Sequence, residues 1–199
     1  MSDRVRTRSQ GRASREAFVA ATGELLRRQG YAATGLNEIV ARSRAPRGSL
    51  YFHFPGGKEE LALAAMEHTG EQLRTGIAAL MARPGGAAAS LARLVEVLGA
   101  GLEASGYRDG CPIATVTLEA SGAEPIRLTA ERVFSTWLAE LEAALVADGM
   151  EAEAAGRRSL MVLAAIEGAL VLARARRDLA PLVAVRDELL ALFEPARAG

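Results

Sequence analysis

The stretch at residues 36–54, LNEIVARSRAPRGSLYFHF, limits what this chain can fold into more than any other. Leu36, Ile39 and Val40 recur at helical spacing and give a first short helix, to about Ser43, one apolar face. Thr34 stands just ahead of it, where a hydroxyl can accept a hydrogen bond from a free backbone N–H, and reads as its N-cap. Pro46 suits the first turn of a second helix, running to about His53, because its missing N–H costs nothing there. Two helices this short, joined by a tight corner, outline a helix-turn-helix, whose second helix enters the DNA major groove.

The second helix has the chemistry for that place. Arg47, Ser49, Tyr51 and His53 crowd hydrogen-bonding groups into one segment, and Gly48 lets the backbone approach another surface. Leu50 and Phe54 are spaced to anchor the helix from behind. An ordinary surface helix carries Glu and Lys on its outer face. This one has no acid, which suits a polyanionic partner.

Charge follows the same division. The chain of 199 residues is formally neutral, yet residues 1–58 hold eleven basic and four acidic side chains, +7, which leaves −7 for the remainder. A basic front on an acidic body is the pattern of a DNA-binding module attached to a part that does not touch DNA. An uneven scatter of solvated charges would not place the excess on the motif. Residues 1–10 are polar and aperiodic and are expected to form a flexible arm, in which Arg4, Arg6 and Arg8 either meet phosphates or a minor groove, or do nothing.

Every other segment reads as helix. Ala17, Phe18, Ala21, Leu25 and Leu26 mark a bracing helix closed by Gly30. After the breaker Pro55-Gly56-Gly57 a long helix runs from about Lys58 to Met81, with Lys58 at its positive end, placed to meet a phosphate. Arg83-Pro84-Gly85-Gly86 breaks the chain again. Helices are then expected at about residues 87–104, 112–120, 125–147, 151–177 and 179–193. No period-two strand pattern and no fixed repeat is present, so the class is all-α with about nine helices. Residues 160–173 are apolar on nearly every side and must be covered. Ala164, Ala165, Gly168, Ala169 and Leu172 let another helix come close there, so the last two helices are expected to pair with their copies as a four-helix dimer interface. The core of a monomer is the plainer alternative.

The chemistry of enzymes finds little support. Cys111 with His53 or His68 is the sole nucleophile–base choice, without a third orienting group, so no catalytic site is expected. Two His and one Cys, widely spaced, match no metal-ligand pattern, and no phosphate loop occurs, so no cofactor is expected. A single cysteine and an N-terminus without an apolar core fit a cytoplasmic protein, and the longest apolar stretch is too short to span a bilayer.

Residues 34–61, ending APRGSLYFHFPGGKEEL, resemble the DNA-binding segment of the TetR family of bacterial transcriptional regulators. The run Phe54-Pro55-Gly56-Gly57-Lys58 and the later Gly110-Cys111-Pro112 resemble its LmrA/YxaF-like subgroup. The close match covers roughly residues 12 to 61. Arg44 stands where the family usually has Gly in the turn. Either the turn takes another conformation, or a left-handed Arg44 carries roughly 1 kcal/mol of strain that a phosphate contact offsets.

The resemblance implies an arm (1–10), a three-helix DNA-binding head (11–57) and a helical effector-binding and dimerisation body (58–199). Arg47, Gly48, Ser49, Tyr51 and His53 are expected at base edges or phosphates, with Thr34, Arg44 and Lys58 holding the DNA backbone. Met66, Leu102, Phe134, Trp137, Leu141 and Met161 are expected to line a pocket for a small hydrophobic or aromatic effector, with Glu119 and Glu167 the nearest acids; each could equally be plain core. The expected function is a homodimeric regulator, most simply a repressor that an effector releases from a palindromic double-stranded DNA operator. The rival is a helical protein-interaction adaptor that has lost DNA binding, favoured only by Arg44.

Overall fold

The computed structural model describes residues 2–120 and 122–193, with side chains described from Gly11 onward. Met1, Ser121 and the last six residues lie outside it, as do the side chains of Arg4, Arg6 and Arg8. The described residues form nine α-helices and no strand. They are α1 (Ser2–Ala33), α2 (Leu36–Ser43), α3 (Leu50–His53), entered through a 3-10 turn at Arg47–Ser49, α4 (Gly57–Met81), α5 (Gly86–Ala104), α6 (Pro112–Ala120), α7 (Glu124–Ala147), α8 (Ala152–Arg176) and α9 (Ala180–Phe193). From α4 onward each predicted boundary lies within a residue of the observed one. The breakers that set them, Pro84-Gly85-Gly86, Pro112 and Asp148-Gly149, act locally and show in the sequence.

Two compact units emerge. The first is the chain through Glu71 together with Pro112–Val133; the second is Gln72–Cys111 together with the chain from Phe134 onward. α4 and α7 each contribute to both.

The core of the first unit is Phe18, Val19, Ala21, Leu25, Ile39, Leu50, Phe54 and Leu61, with Leu36 and Val40 packed against it. Helical spacing puts these side chains on facing stripes of α1, α2, α3 with Phe54 just past it, and the start of α4, so the apolar face expected of α2 is the one that is buried. Phe54 meets Phe18 edge-on at 6.4 Å between ring centroids. Polar ties add orientation: Arg42 Nε donates to Glu24 at 2.5 Å and Gln29 Nε2 to Glu38 at 2.8 Å, joining α2 to α1. The stretch expected to be an arm continues α1 back to Ser2 as helix.

Gly30 does not simply end α1. It kinks the helix at φ 79°, ψ −176°, and one further turn follows to Ala33. α6 lies against this kink: the Glu119 carboxylate accepts a hydrogen bond from Ala32 N at 2.7 Å. Glu119 was expected near an effector; here it instead satisfies a backbone donor at the end of α1. No local pattern could have revealed this, because the partners are 87 residues apart.

In the second unit α5, α8 and α9 pack on one another. Leu91, Leu94, Val95, Leu102, Trp137, Leu141, Val162, Ile166, Leu182 and Leu189 are buried there. Asp148, just past α7, accepts from Ala87 N at 3.0 Å and so caps α5 from a distance. Glu151 caps α8, accepting from Glu153 N and Ala154 N at 3.0 Å each, which pulls its carboxyl below the usual range.

Candidate nucleic-acid interface

The surface around α3 is set by what α3 buries. Leu50 and Phe54 point inward and are wholly buried, so the residues between them must point out. Tyr51 is 62% exposed and Phe52 81%. Arg44, Arg47 and Gly48 are exposed, and a Cβ built on Gly48 would meet nothing within 4 Å. No acidic residue stands between Glu38 and Glu59. The face is therefore basic and aromatic, with open backbone at Gly48.

Each residue named from the sequence now has a place. Arg47 Nη2 donates to Asn37 Oδ1 at 2.9 Å, which fixes the guanidinium between α2 and α3. Ser49 Oγ donates to Pro46 O at 2.7 Å, spending its proton but leaving lone pairs outward. His53 is half-buried, its ring edge-on to Phe52 at 5.1 Å. Arg44 takes the left-handed conformation, φ 54° and ψ 13°, as the C-cap of α2. The turn has kept the geometry that glycine would give it, with an exposed guanidinium added.

Two placements differ from expectation. Thr34 is not the N-cap of α2; Gly35 is, without a side-chain bond. Thr34 is 1% exposed and its hydroxyl donates backward to Gly30 O at 2.6 Å, so it cannot offer that hydroxyl to DNA. A threonine just before a helix can bond forward to a free N–H or back to the preceding turn; here the backward bond, to the carbonyl of the kinked Gly30, wins. Lys58, at the start of α4, reaches Ala32 O at 3.3 Å and lies over the Tyr31 ring at 4.5 Å from its centroid. Burial, with Glu59 nearby, pushes the Tyr31 hydroxyl above its ordinary pKa.

Phe52 was missed. Selecting the reading helix by hydrogen-bonding groups passes over an apolar side chain, although contact with a thymine methyl needs one. The available signal was its position between two anchors, Leu50 and Phe54, which forces it outward.

The residues expected around an effector divide. Leu102, Trp137 and Leu141 are buried in the second unit, with Phe134 half-buried and edge-on to Trp137 at 5.4 Å. Met66 is wholly buried and belongs to the first unit, and Met161 is 40% exposed. α8 is apolar on nearly every side, so spacing alone could not tell its inner face from its outer one. Of the small residues on α8, Ala169 is buried within its own unit and drops out of the outer face. Ala164 and Gly168 are exposed, as is Leu172 at 54%.

Glu167 is partly buried in the second unit. Burial pushes its carboxyl above the ordinary range, and a hydrogen bond with the Cys111 side chain offsets part of the rise. A raised folded-state pKa favours the neutral acid. Its stabilisation is complete below the unfolded value and is lost as pH rises through the folded one. Glu167→Gln, neutral at every pH, should therefore melt higher than wild type at pH 8, with a smaller gain at pH 5. Equal gains at both pH values in thermal melts would remove burial of the charge as the cause.

Comparison with known proteins agrees with this geometry. The family described as bacterial regulatory proteins, tetR family, matches residues 18–65. The family described as transcriptional regulator LmrA/YxaF-like, C-terminal domain, matches residues 87–188. The HTH-type transcriptional regulator LmrA of Bacillus subtilis is 34% identical over 85% of this chain and 91% of its own. An uncharacterized HTH-type transcriptional regulator of Mycobacterium tuberculosis is 34% identical over 88% and 91%. Among solved structures, reduced NemR of E. coli superposes with a TM-score of 0.82 at 21% identity, covering 92% of this chain and 98% of that one.

Proposed function

We propose, from the premise that the chain belongs to the TetR family and is a DNA-binding transcriptional regulator of the LmrA/YxaF-like type, that it represses by holding a palindromic operator until a small molecule releases it. One observation carries the DNA-reading part: α3 buries Leu50 and Phe54 and turns an acid-free face bearing Arg44, Arg47, Gly48, Tyr51 and Phe52 to solvent. Arg47 and Tyr51, with Ser49 and His53, approach base edges or phosphates. Phe52 offers apolar contact to a thymine methyl, and Arg44 and Lys58 meet the DNA backbone, Lys58 after leaving Ala32 O. The adaptor reading loses its only support, since Arg44 preserves the left-handed turn.

Residues 11–57 are the DNA-binding head in this reading, and 58–199 bind effector and partner. TetR-family regulators act as dimers, and the outer face of α8 supplies the seam here. Leu160, Ala164, Gly168, Val171 and Leu172 form one exposed helical stripe, continued on α9 by Val183 and Leu192. Gly168 leaves open space for a second backbone. Each dimer then reads two half-sites about 34 Å apart. Leu102, Phe134, Trp137 and Leu141 are the effector contacts, and the effector favours a conformer whose heads are wrongly spaced for DNA. The protein works in the cytoplasm, with the DNA; no helix among the described residues is long and apolar enough to cross a membrane.

Selection of bound DNA from a random pool should recover sites with inverted symmetry. Arg47→Ala should bind the recovered site about 10- to 100-fold less tightly, the equivalent of roughly 1–3 kcal/mol, while melting within a degree or two of wild type. Unchanged affinity removes Arg47 from the interface, and asymmetric sites overturn the dimeric reading.

A further inference from the structure

A second basic site lies in the second unit, where the loop after α5 meets the end of α8. Gly106, Tyr107, Arg108, Arg174 and Arg177 line an open hollow of about 420 Å³. The lining residues include three arginines and a tyrosine, and no acid. We propose that this hollow binds a small anionic molecule through phosphate or carboxylate groups, independently of DNA.

The frame of the hollow is fixed. Ser105 Oγ accepts from Arg108 N at 3.2 Å and Asp109 N at 3.1 Å, and Ser105 O takes Arg108 Nε at 3.0 Å. Gly106 N and Tyr107 N bond back to Glu103 O and Leu102 O at 2.8 and 2.9 Å. On the other wall Arg177 ends α8, its N–H bonded to Ala173 O. Tyr107 and Arg177 both hold positive φ, 61° and 55°, and with Arg44 they are the three non-glycine residues among those described that do so. Both conformations close helix ends, Tyr107 after α5 and Arg177 at α8, and so bring the two helix C-termini together at one hollow. A frame fixed beforehand leaves little ordering to be done when a ligand arrives.

The charge balance favours an anion. Arg108 and Arg177 pair with no carboxylate among the described residues. The acid beside Arg177, Asp178, is turned to α9, accepting from Ala180 N at 3.0 Å. The plainer purpose of arginines here is to complement helix C-termini, since both α5 and α8 end at the hollow. Each end supplies only about half a negative charge, whereas Arg108 and Arg177 by themselves bring two full positive charges, so an excess remains. Arginine forks fit phosphate and carboxylate oxygens in pairs, and Tyr107 adds a ring wall for an organic body.

Titration calorimetry on the full chain at fixed ionic strength tests this, with pyrophosphate in one arm and tricarballylate in the other, against chloride as blank. Saturable binding of at least one is expected, and the arm that binds more tightly names the anion. In Arg108→Gln/Arg177→Gln, which keeps two exposed side chains of similar length, that affinity should fall at least tenfold. Operator affinity without anion should stay within twofold. No saturable binding above chloride, or equal binding by the variant, overturns the site. A parallel loss of operator affinity would assign the arginines to DNA and overturn it equally.

Discussion

Phe54→Ala should destabilise the first unit by about 3–5 kcal/mol and abolish operator binding with it. Phe54 is wholly buried, stands edge-on to Phe18 and lies under the Arg15 guanidinium at 5.3 Å from the ring centroid. Its backbone ends α3 through the bond from its N–H to Leu50 O at 2.8 Å. α3 is only four residues long and cannot hold its shape alone, since isolated helices this short do not persist in water. Its orientation comes from two anchors, and Ala would leave a cavity where one of them sat. Chemical unfolding followed in the variant gives the free energy, and a gel shift gives the affinity. A variant that unfolds within about 1 kcal/mol of wild type would mean that the site collapses around the gap, at the low end for core truncations.

The second large effect is Gly30→Ala. At φ 79° and ψ −176° the backbone occupies a region open essentially to glycine alone, at a cost on the order of 1–3 kcal/mol for any other residue. A Cβ there would also lie 2.0 Å from Glu119 Oε1. That oxygen belongs to a long side chain, so the clash is relieved by rotation, but rotation breaks the bond to Ala32 N, worth roughly 1.5–3 kcal/mol as a charged acceptor. We expect a loss of about 2.5–6 kcal/mol in total. Glu119→Ala separates the parts: adding Gly30→Ala to it should cost only the backbone share. A double variant whose loss equals the sum of the two single losses would show that the residues do not act on each other.

Most of the architecture was legible because it is local. Apolar side chains at helical spacing and Gly-Pro breaks mark helices whatever they pack against, and Leu50 and Phe54 announced their anchoring role by position. What escaped was tertiary. Thr34 could bond either way along the chain, and only the kink at Gly30 decided it. Glu119 carries no label directing it to α1. On α8, Ala169 and Gly168 are neighbours of similar size with opposite exposure. Arg47 was legible as an outward arginine, but not as one braced on Asn37, since that bond depends on how the corner between α2 and α3 closes. The basic hollow escaped because Arg108 and Arg174 are distant in sequence.

That the first unit is assembled from two separated lengths of chain bears on its birth at the ribosome. Synthesis delivers α1 to α3 early, yet the acceptor for Ala32 N arrives only with Glu119, after the forty intervening residues 72–111 have been made. Closing a loop of that size costs on the order of 3 kcal/mol. Until then the nascent helix-turn-helix carries an unsealed flank along α1, so a DNA reader cut off after α4 would be left with the same open side.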